Sequence, residues 1–131
     1  MGKSILNYLH IEKLVLIISF ITLVSGLGQM LASGIVLSAV SDGSLDLAVR
    51  HFFAIIGMFM ALFGGLLLVV LKIGKRDPWV VLFCGLQKFG AFFAVSLGVI
   101  NGIFSTIALL VAFFDLFSSV LIILLWRQLR Q

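Results

Sequence analysis

Residues 79–126 read WVVLFCGLQKFGAFFAVSLGVINGIFSTIALLVAFFDLFSSVLIILLW, and this stretch decides the fold. It holds two apolar runs, each near the ~20 residues that cross a hydrocarbon core as a helix, joined by Asn101 and Gly102. So tight a connection makes the two helices antiparallel neighbours. One run contains Lys88 and the other Asp115. The stretch therefore predicts a transmembrane helical hairpin with two opposite charges inside it.

The whole chain is as apolar as this hairpin. Its 131 residues are 63% hydrophobic and 11% charged, with a mean hydropathy of +1.32. A soluble domain of this length has too little interior to bury so much apolar surface, so lipid is the expected solvent. We therefore expect an all-α, four-transmembrane-helix antiparallel bundle, a single membrane domain over residues 1–131. The predicted spans are residues 14–31, 52–71, 79–100 and 103–126.

The first span and the segments beside it raise the question of which parts of the chain remain helical and how the spans pack. Its apolar run exceeds the roughly 7 to 15 residues of a signal-peptide core, and we expect it to remain as a helix. Residues 4–13 form either a short interfacial helix or an extension of that span. Residues 33–50 are long enough for a short helix or a re-entrant segment. Spans two, three and four are expected to pack consecutively because their connections are short.

Positive charge lies mainly on one side of the predicted bundle. With both termini on that side, it carries Lys3, Lys13, Lys72, Lys75, Arg76, Arg127 and Arg130. Arg50 alone falls on the opposite side, so the positive-inside rule predicts cytoplasmic N- and C-termini. The net charge of +4 is scattered at helix ends, without a basic face interleaved with aromatic residues. The expected partner is the lipid bilayer and not a nucleic acid.

Small and polar residues recur at spacings of three and four in each span. Helices in lipid associate through close backbone approach at such positions and through interhelical hydrogen bonds. We expect the contacts at Ser19, Thr22, Gly26, Gln29 and Ser33; at Ala54, Gly57, Ala61 and Gly64; at Cys84, Gln87, Ala91, Ala94 and Gly98; and at Ser105, Ala108, Ala112, Asp115 and Ser119. The period favours a compact bundle with its bulky side chains toward lipid.

Lys88 and Asp115 lie at matching depth. Lys88 is about 14 Å along its helix from Trp79, and Asp115 is about 16 Å from Trp126, at ~1.5 Å rise per residue. An unpaired charge at that depth costs about 2.5 to 3.5 kcal/mol on insertion scales, so we predict a buried ion pair. The pair is either a structural clamp or a functional site, namely a proton or ion relay or a binding site for the polar group of a lipophile.

Other polar residues fall into two sets. Gln87 and Gln29 are candidates to extend the ion-pair network, and Gln29 is expected to bond across helices in the outer leaflet. Asp46, Arg50 and His51 form a predicted cluster at the outer interface. Asp46 stands four residues before Arg50, which suits an ion pair if the segment is helical. His51 is either a pH sensor or a solvated interfacial histidine.

The sequence lacks the residues that several kinds of chemistry require. Cys84 is the only cysteine, which excludes an internal disulfide and a CxxC redox pair. His10 and Glu12 stand apart from other candidate ligands, so no metal site is predicted. The sequence has no phosphate-binding glycine loop and no G-x-S-x-G motif. No enzymatic activity is assigned, and no cofactor is predicted beyond a bound lipid or quinone.

Three segments carry a family resemblance: RHFFAIIGMFMALFGG at 50–65, GLQKFGA at 85–91 and FDLFS at 114–118. They resemble small four-helix bacterial membrane proteins related to the DoxX-like group. The resemblance implies a multi-pass protein of the bacterial cytoplasmic (inner) membrane with an accessory role in quinone or thiosulfate oxidation. Because the spans carry neither cysteine pairs nor haem-type histidines, electron transfer by the chain itself is not expected.

Three functions stay open at this point. The sequence favours an accessory or structural subunit, in a homo-oligomer or in a larger membrane complex. A small ion-coupled transporter that depends on Asp115 is the second, and a lipophile- or quinone-binding protein with its ligand near Lys88 is the third. Small multidrug carriers use an acidic residue within the first span, whereas Glu12 is expected to precede that span here.

Overall fold

The regular secondary structure of the protein is helical throughout the described residues. A computed structural model describes the backbone of residues 2–41 and 46–131 and the side chains of residues 9–41 and 46–131. Five helices occur there: α1 (Gly2–Leu31), α2 (Ser33–Val40), α3 (Leu47–Lys72), α4 (Pro78–Ile100) and α5 (Ala108–Leu129). Four of them, α1 over Leu9–Leu31 together with α3, α4 and α5, are long and apolar enough to cross a bilayer. The predicted four-span helical bundle is confirmed.

Two spans extend beyond their predicted starts. α1 is one helix from Gly2, so residues 4–13 are an extension of the first span and not a separate interfacial helix. α3 begins at Leu47 instead of residue 52. Hydropathy stopped the predicted span at Arg50 and His51, but backbone hydrogen bonding continues through them because Arg is a good helix former.

The predicted start of the fourth span, residue 103, is wrong. α4 ends at Ile100 and α5 begins at Ala108, so a longer connection separates them. Gly102 turns the chain with a φ of +69°, a conformation that glycine adopts without strain. The ring of Phe104 then packs against Gly98, where a Cβ would overlap it. The apolar residues after the turn therefore pack back on α4 instead of starting the span.

α2 is a short helix in the long connection between the first two spans, where the sequence predicts either a short helix or a re-entrant segment. It packs against α1 and α3. Its C-terminal end is tied to the α4–α5 connection by two hydrogen bonds. The backbone N–H of Ser105 donates to the carbonyl of Val40 at 2.8 Å, and the Ser41 hydroxyl donates to the carbonyl of Ile103 at 3.2 Å. We call this end of the bundle the α2 end.

The spans pack as two antiparallel pairs, α1 with α3 and α4 with α5. Contacts between the pairs are fewer and run mainly from α1 to α5, while α3 and α4 share little surface. The expected consecutive packing of spans two, three and four is wrong in this respect. The short α3–α4 connection sets the two helices antiparallel, but it does not decide how much surface they share.

Glycines bring α1 and α3 into close contact. A Cβ built on Gly26 would lie 2.7 Å from the carbonyl oxygen of Gly57, and one on Gly57 would lie 2.8 Å from that of Gly26. A Cβ on Gly64 would lie 2.9 Å from the carbonyl oxygen of Ser19. The backbones are too close to admit side chains at these positions, which is how small residues drive helix association in lipid. The small-residue prediction is confirmed for this pair.

All four spans meet near the end opposite α2, which we call the charged end because residues 72–77 and the C-terminal turn of α5 lie there. The buried core at this end consists of Val15 from α1, Leu67 and Leu71 from α3, Val81 and Cys84 from α4, and Ile122 and Leu125 from α5. Large apolar side chains such as Phe20, Phe59 and Leu110 remain exposed around the bundle. Lipid is the surrounding that such a surface requires, so the chain is a multi-pass membrane protein.

Gly64 and its neighbour Gly65 offer a matched test of the α1–α3 contact. Gly64→Ala forces a Cβ to 2.7 Å from the backbone nitrogen of Leu23, whereas the Cβ of Gly65→Ala lies 3.7 Å from a Leu23 methyl carbon. Helix propensity changes equally in both, so overpacking alone should make Gly64→Ala less stable, by about 1–3 kcal/mol. Thermal unfolding of both variants in the same detergent measures this. Equal midpoints would contradict the close packing.

Candidate functional site: an apolar cleft beside a buried ion pair

Lys88 of α4 and Asp115 of α5 form the predicted ion pair. The Lys88 Nζ lies 2.6 Å from the Asp115 Oδ1, and each residue is only 3% exposed. The ammonium also lies 5.2 Å from the centroid of the Phe114 ring, within the range of a cation–π contact. The prediction of a buried pair within the spans is confirmed, and the two opposite charges neutralise one another there.

The register that brings these charges together is set one helical turn away. The Ser119 hydroxyl donates to the carbonyl oxygen of Gly85 at 3.0 Å. A Cβ on Gly85 would lie 3.1 Å from Ile123 and 3.2 Å from Ile122, so the glycine lets α5 approach. Gly85 and Lys88 are three residues apart and share one face of α4. That face, and not the predicted one, is the contact with α5.

The predicted contact stripe on α4 is confirmed only in part, at Cys84 and Gly98, which are buried. Gln87 and Ala91 are only partly buried and Ala94 is exposed, whereas Gly85 and Lys88 are buried. The contact face of α4 was predicted from small side-chain size alone. The charge on Lys88 outweighs it, because an ammonium in hydrocarbon must meet its counter-ion whereas an alanine is accepted equally against lipid or protein. Gln87, Ala91 and Ala94 consequently face the α1–α3 pair.

Between the two helix pairs, on the α2 side of the ion pair, lies a cleft of about 220 Å³, the hairpin cleft. It is lined by Gln29, Val36, Val40, Phe53, Ile56, Met60, Gln87, Ala91, Ala94, Val95, Phe104, Ala108, Val111 and Asp115. Exposure of Ile56 and Ala94 shows that it opens on the lipid-facing surface. The lining is apolar except for Gln29, Gln87 and Asp115. Three of the predicted site residues thus converge on one apolar cleft.

A second opening, of about 330 Å³, adjoins the first on the side of α1 and α5. The two share five lining residues: Gln29, Val36, Met60, Val111 and Asp115. Lys88 also lines the second opening. The ion pair is therefore reached from two openings. The Asp115 carboxylate lines both of them, whereas the Lys88 ammonium lines only the second.

The two glutamines differ in their bonding. The Nε2 of Gln29 donates to the backbone carbonyl of Phe53 at 2.9 Å, which confirms the predicted bond across helices. This contact uses the amide nitrogen and leaves the Gln29 Oε1 free to accept. Gln87, one residue before Lys88, lies in the wall of the hairpin cleft.

On its other side Gln87 borders a void of about 10 Å³, which Thr22 and Lys88 also line. The Thr22 hydroxyl is buried and has no hydrogen-bond partner among the described residues. A void of this size holds at most a single water molecule. A molecule larger than water therefore reaches the ion pair only from the hairpin cleft or the adjoining opening, and not through this void.

The predicted outer cluster stays apart from the cleft. Asp46 has extended backbone angles, φ −63° and ψ 146°, just before α3, so the helical spacing that favours a pair with Arg50 does not apply. That pair, expected only if the segment is helical, is not among the ion pairs of the described residues. The Arg50 guanidinium lies beside Gly34 of α2 instead, where a Cβ would be 2.5 Å from its Nη2. His51 is exposed.

Glu12 is a charged residue whose burial within the first span was not predicted from the sequence. It lies within the spanning part of α1, is 7% exposed, and its Oε1 is 3.0 Å from the Arg76 Nη2. The expectation that Glu12 precedes the first span is wrong. The signal was present, since Arg76 belongs to the charged connection on the same side of the bundle. This pair fastens α1 to the α3–α4 connection at the charged end.

Comparisons with protein-family models, with curated proteins and with solved structures find no match. In the described part of the chain, no three His, Cys, Asp or Glu side chains are grouped so as to hold a metal ion. The geometry of the cleft and of the ion pair is thus the basis for a function.

A double-mutant cycle tests the mutual dependence of the two charges. Asp115→Leu and Lys88→Met each leave one buried charge unpaired, and each should destabilise the protein by about 3–5 kcal/mol. The double variant removes both charges and should recover most of that loss. Unfolding in detergent, followed by circular dichroism, gives the coupling. Additive losses in the double variant would show that the residues do not act as a pair.

Proposed function

We propose that this protein is an accessory subunit of a bacterial inner-membrane complex that binds a lipophilic ligand in the hairpin cleft. One observation supports it above all: an apolar cleft open to lipid carries Gln29, Gln87 and Asp115 in its wall. Small-molecule sites have this composition, with a mainly hydrophobic lining and a few polar groups that orient the ligand. Membrane lipids and quinones are lipophiles of this kind.

The ion pair serves such a site as a clamp. Its short contact and deep burial hold α4 against α5, so the carboxylate keeps a constant position in the cleft wall. An ion-coupled carrier needs its membrane carboxylate to exchange partners and to meet water on both sides. Asp115 instead holds one counter-ion, and the void beside that counter-ion admits no more than a single water molecule. The geometry therefore supports binding over transport.

The DoxX-like resemblance of residues 50–65, 85–91 and 114–118 supports the accessory role in this proposal. Some members of that wider group are linked to quinone or thiosulfate oxidation as membrane subunits, and a lipophile site suits such a role. Assembly into a homo-oligomer or a larger complex belongs to the same proposal. The exposed apolar side chains around the bundle give a partner helix ample surface to cover.

We further propose that the charged end faces the cytoplasm. Lys72, Lys75 and Arg76 lie in its connection, and the guanidinium of Arg130 lies 5.9 Å from the Trp79 ring and 5.4 Å from the Trp126 ring. Tryptophans mark a membrane–water interface, and basic residues are in excess on the cytoplasmic side of membrane proteins. Both termini are then cytoplasmic.

Cysteine accessibility tests this orientation. Lys75→Cys places a thiol in the α3–α4 connection and Thr106→Cys places one in the α4–α5 connection, both at exposed positions. The native Cys84 is buried and gives a quiet background. A membrane-impermeant maleimide should label Thr106→Cys in intact cells whose outer membrane has been opened, and Lys75→Cys only after the inner membrane is permeabilised. The reverse pattern would overturn the proposed orientation.

Photolabelling tests the cleft. A long-chain lipophile carrying a diazirine should attach to cleft residues of the purified protein, as located by peptide mass spectrometry. Ala94→Trp fills the cleft and should reduce this labelling several-fold. Gly90→Trp is the matched control one turn away on α4, at an exposed position outside the cleft lining where an added Cβ meets nothing within 4 Å, and it should leave the labelling unchanged. Equal labelling in both variants would place the ligand elsewhere.

A further inference from the structure

We infer that the ligand of the hairpin cleft is an uncharged lipophile whose head group is a hydroxyl. This inference rests on the proposed binding function and specifies its ligand. It follows from two properties of the cleft wall, namely its net charge and its free hydrogen-bonding atoms.

The first property is neutrality. Among the residues that the structure describes, Lys88 and Asp115 are the only charged ones that line the hairpin cleft or the adjoining opening, and their charges cancel. A carboxylate or ammonium head group would add a net charge that no residue of the wall balances. Uncompensated charge is strongly disfavoured in hydrocarbon. The site therefore selects against fatty acids and amines.

The second property is a pair of free acceptors in the hairpin cleft. An ionised carboxylate only accepts hydrogen bonds, and Lys88 bonds to Oδ1 of Asp115, which leaves Oδ2. Gln29 donates one of its two Nε2 hydrogens to the Phe53 carbonyl, and its Oε1 remains as the second acceptor. A head group that lies among these oxygens must donate a hydrogen bond. Ethers, esters and ketones have no such hydrogen, so among the proposed lipophiles a quinone meets this requirement only in its quinol form, which carries hydroxyls.

The wall also offers donors to a ligand that accepts. The Lys88 ammonium has further N–H groups beyond the one that bonds Asp115, and it lines the adjoining opening. The amide of Gln87 supplies a donor within the hairpin cleft. A hydroxyl is the smallest head group that donates and accepts at once. It satisfies both sides of the wall, whereas an acceptor-only group leaves a desolvated carboxylate oxygen unpaired.

Three probes whose alkyl chains differ by at most one carbon separate these chemistries: dodecanol, dodecyl methyl ether and dodecanoate. The bound fraction of each on the full-length protein in detergent is measured by native mass spectrometry over a concentration series. Dodecanol should bind about tenfold more tightly than the ether, the ratio that corresponds to one net hydrogen bond. Dodecanoate should bind more weakly than dodecanol.

The outcomes of this comparison are distinct. If none of the probes binds, the proposed function fails and this inference fails with it. If dodecanol and the ether bind equally, lipophile binding stands and the hydroxyl assignment is overturned. If dodecanoate binds best, the neutrality argument is overturned. These wild-type measurements decide the inference without any variant.

A charge variant provides a second test with a gain of binding. Asp115→Asn keeps the shape of the side chain but leaves the Lys88 charge unpaired, so a carboxylate ligand would now restore neutrality. Dodecanoate binding should rise about tenfold over that of the wild type, while the preference for dodecanol over the ether falls. Asp46→Asn, which changes an exposed carboxylate outside the cleft, is the control and should alter neither. No rise in dodecanoate binding to folded Asp115→Asn would contradict the role of the charge balance.

Discussion

The contact between Lys88 and Asp115 is the constraint on which the rest of the bundle depends. Apolar side chains are interchangeable in lipid, because a leucine gains little by facing protein instead of an acyl chain. A charge has no such freedom. Once α4 carries an ammonium at mid-depth, α5 must present a carboxylate at the same height and in the right direction. The register and the mutual rotation of this helix pair follow from that requirement, and the Ser119 bond to Gly85 reinforces them.

The two helix pairs use different physics, and the cleft results from the difference. α1 and α3 carry no charge at their contact and close through glycines until backbone meets backbone. α4 turns Gly85 and Lys88 toward α5, so Gln87, Ala91 and Ala94 are left facing the other pair. These short side chains do not fill the space in front of them. A small-residue stripe thus makes a tight interface on α3 and the wall of a cleft on α4.

How far the sequence predicts this structure depends on whether a residue has alternatives. The four spans follow from the length of the apolar runs, because runs this long must lie in lipid. The ion pair follows from matching depth, because a charge within the spans needs a counter-charge at the same height. The face of α4, the start of α5 at Ala108 and the burial of Glu12 were missed. Each of these depends on which partner a residue meets in three dimensions: Lys88 against alanine, Phe104 against Gly98, and Glu12 against Arg76. Hydropathy along the chain does not contain that information.

The cleft persists because neither helix pair is able to move into it. Glycine contacts at backbone distance leave α1 and α3 no closer arrangement, and separating Lys88 from Asp115 would expose both charges to hydrocarbon. At the charged end the common core holds the pairs together. At the α2 end, the hydrogen bonds of Val40 and Ser41 to the α4–α5 connection hold them at a set spacing. A cleft enclosed by two closely packed pairs and fixed at both ends is preorganised, which is what the proposed discrimination between head groups requires.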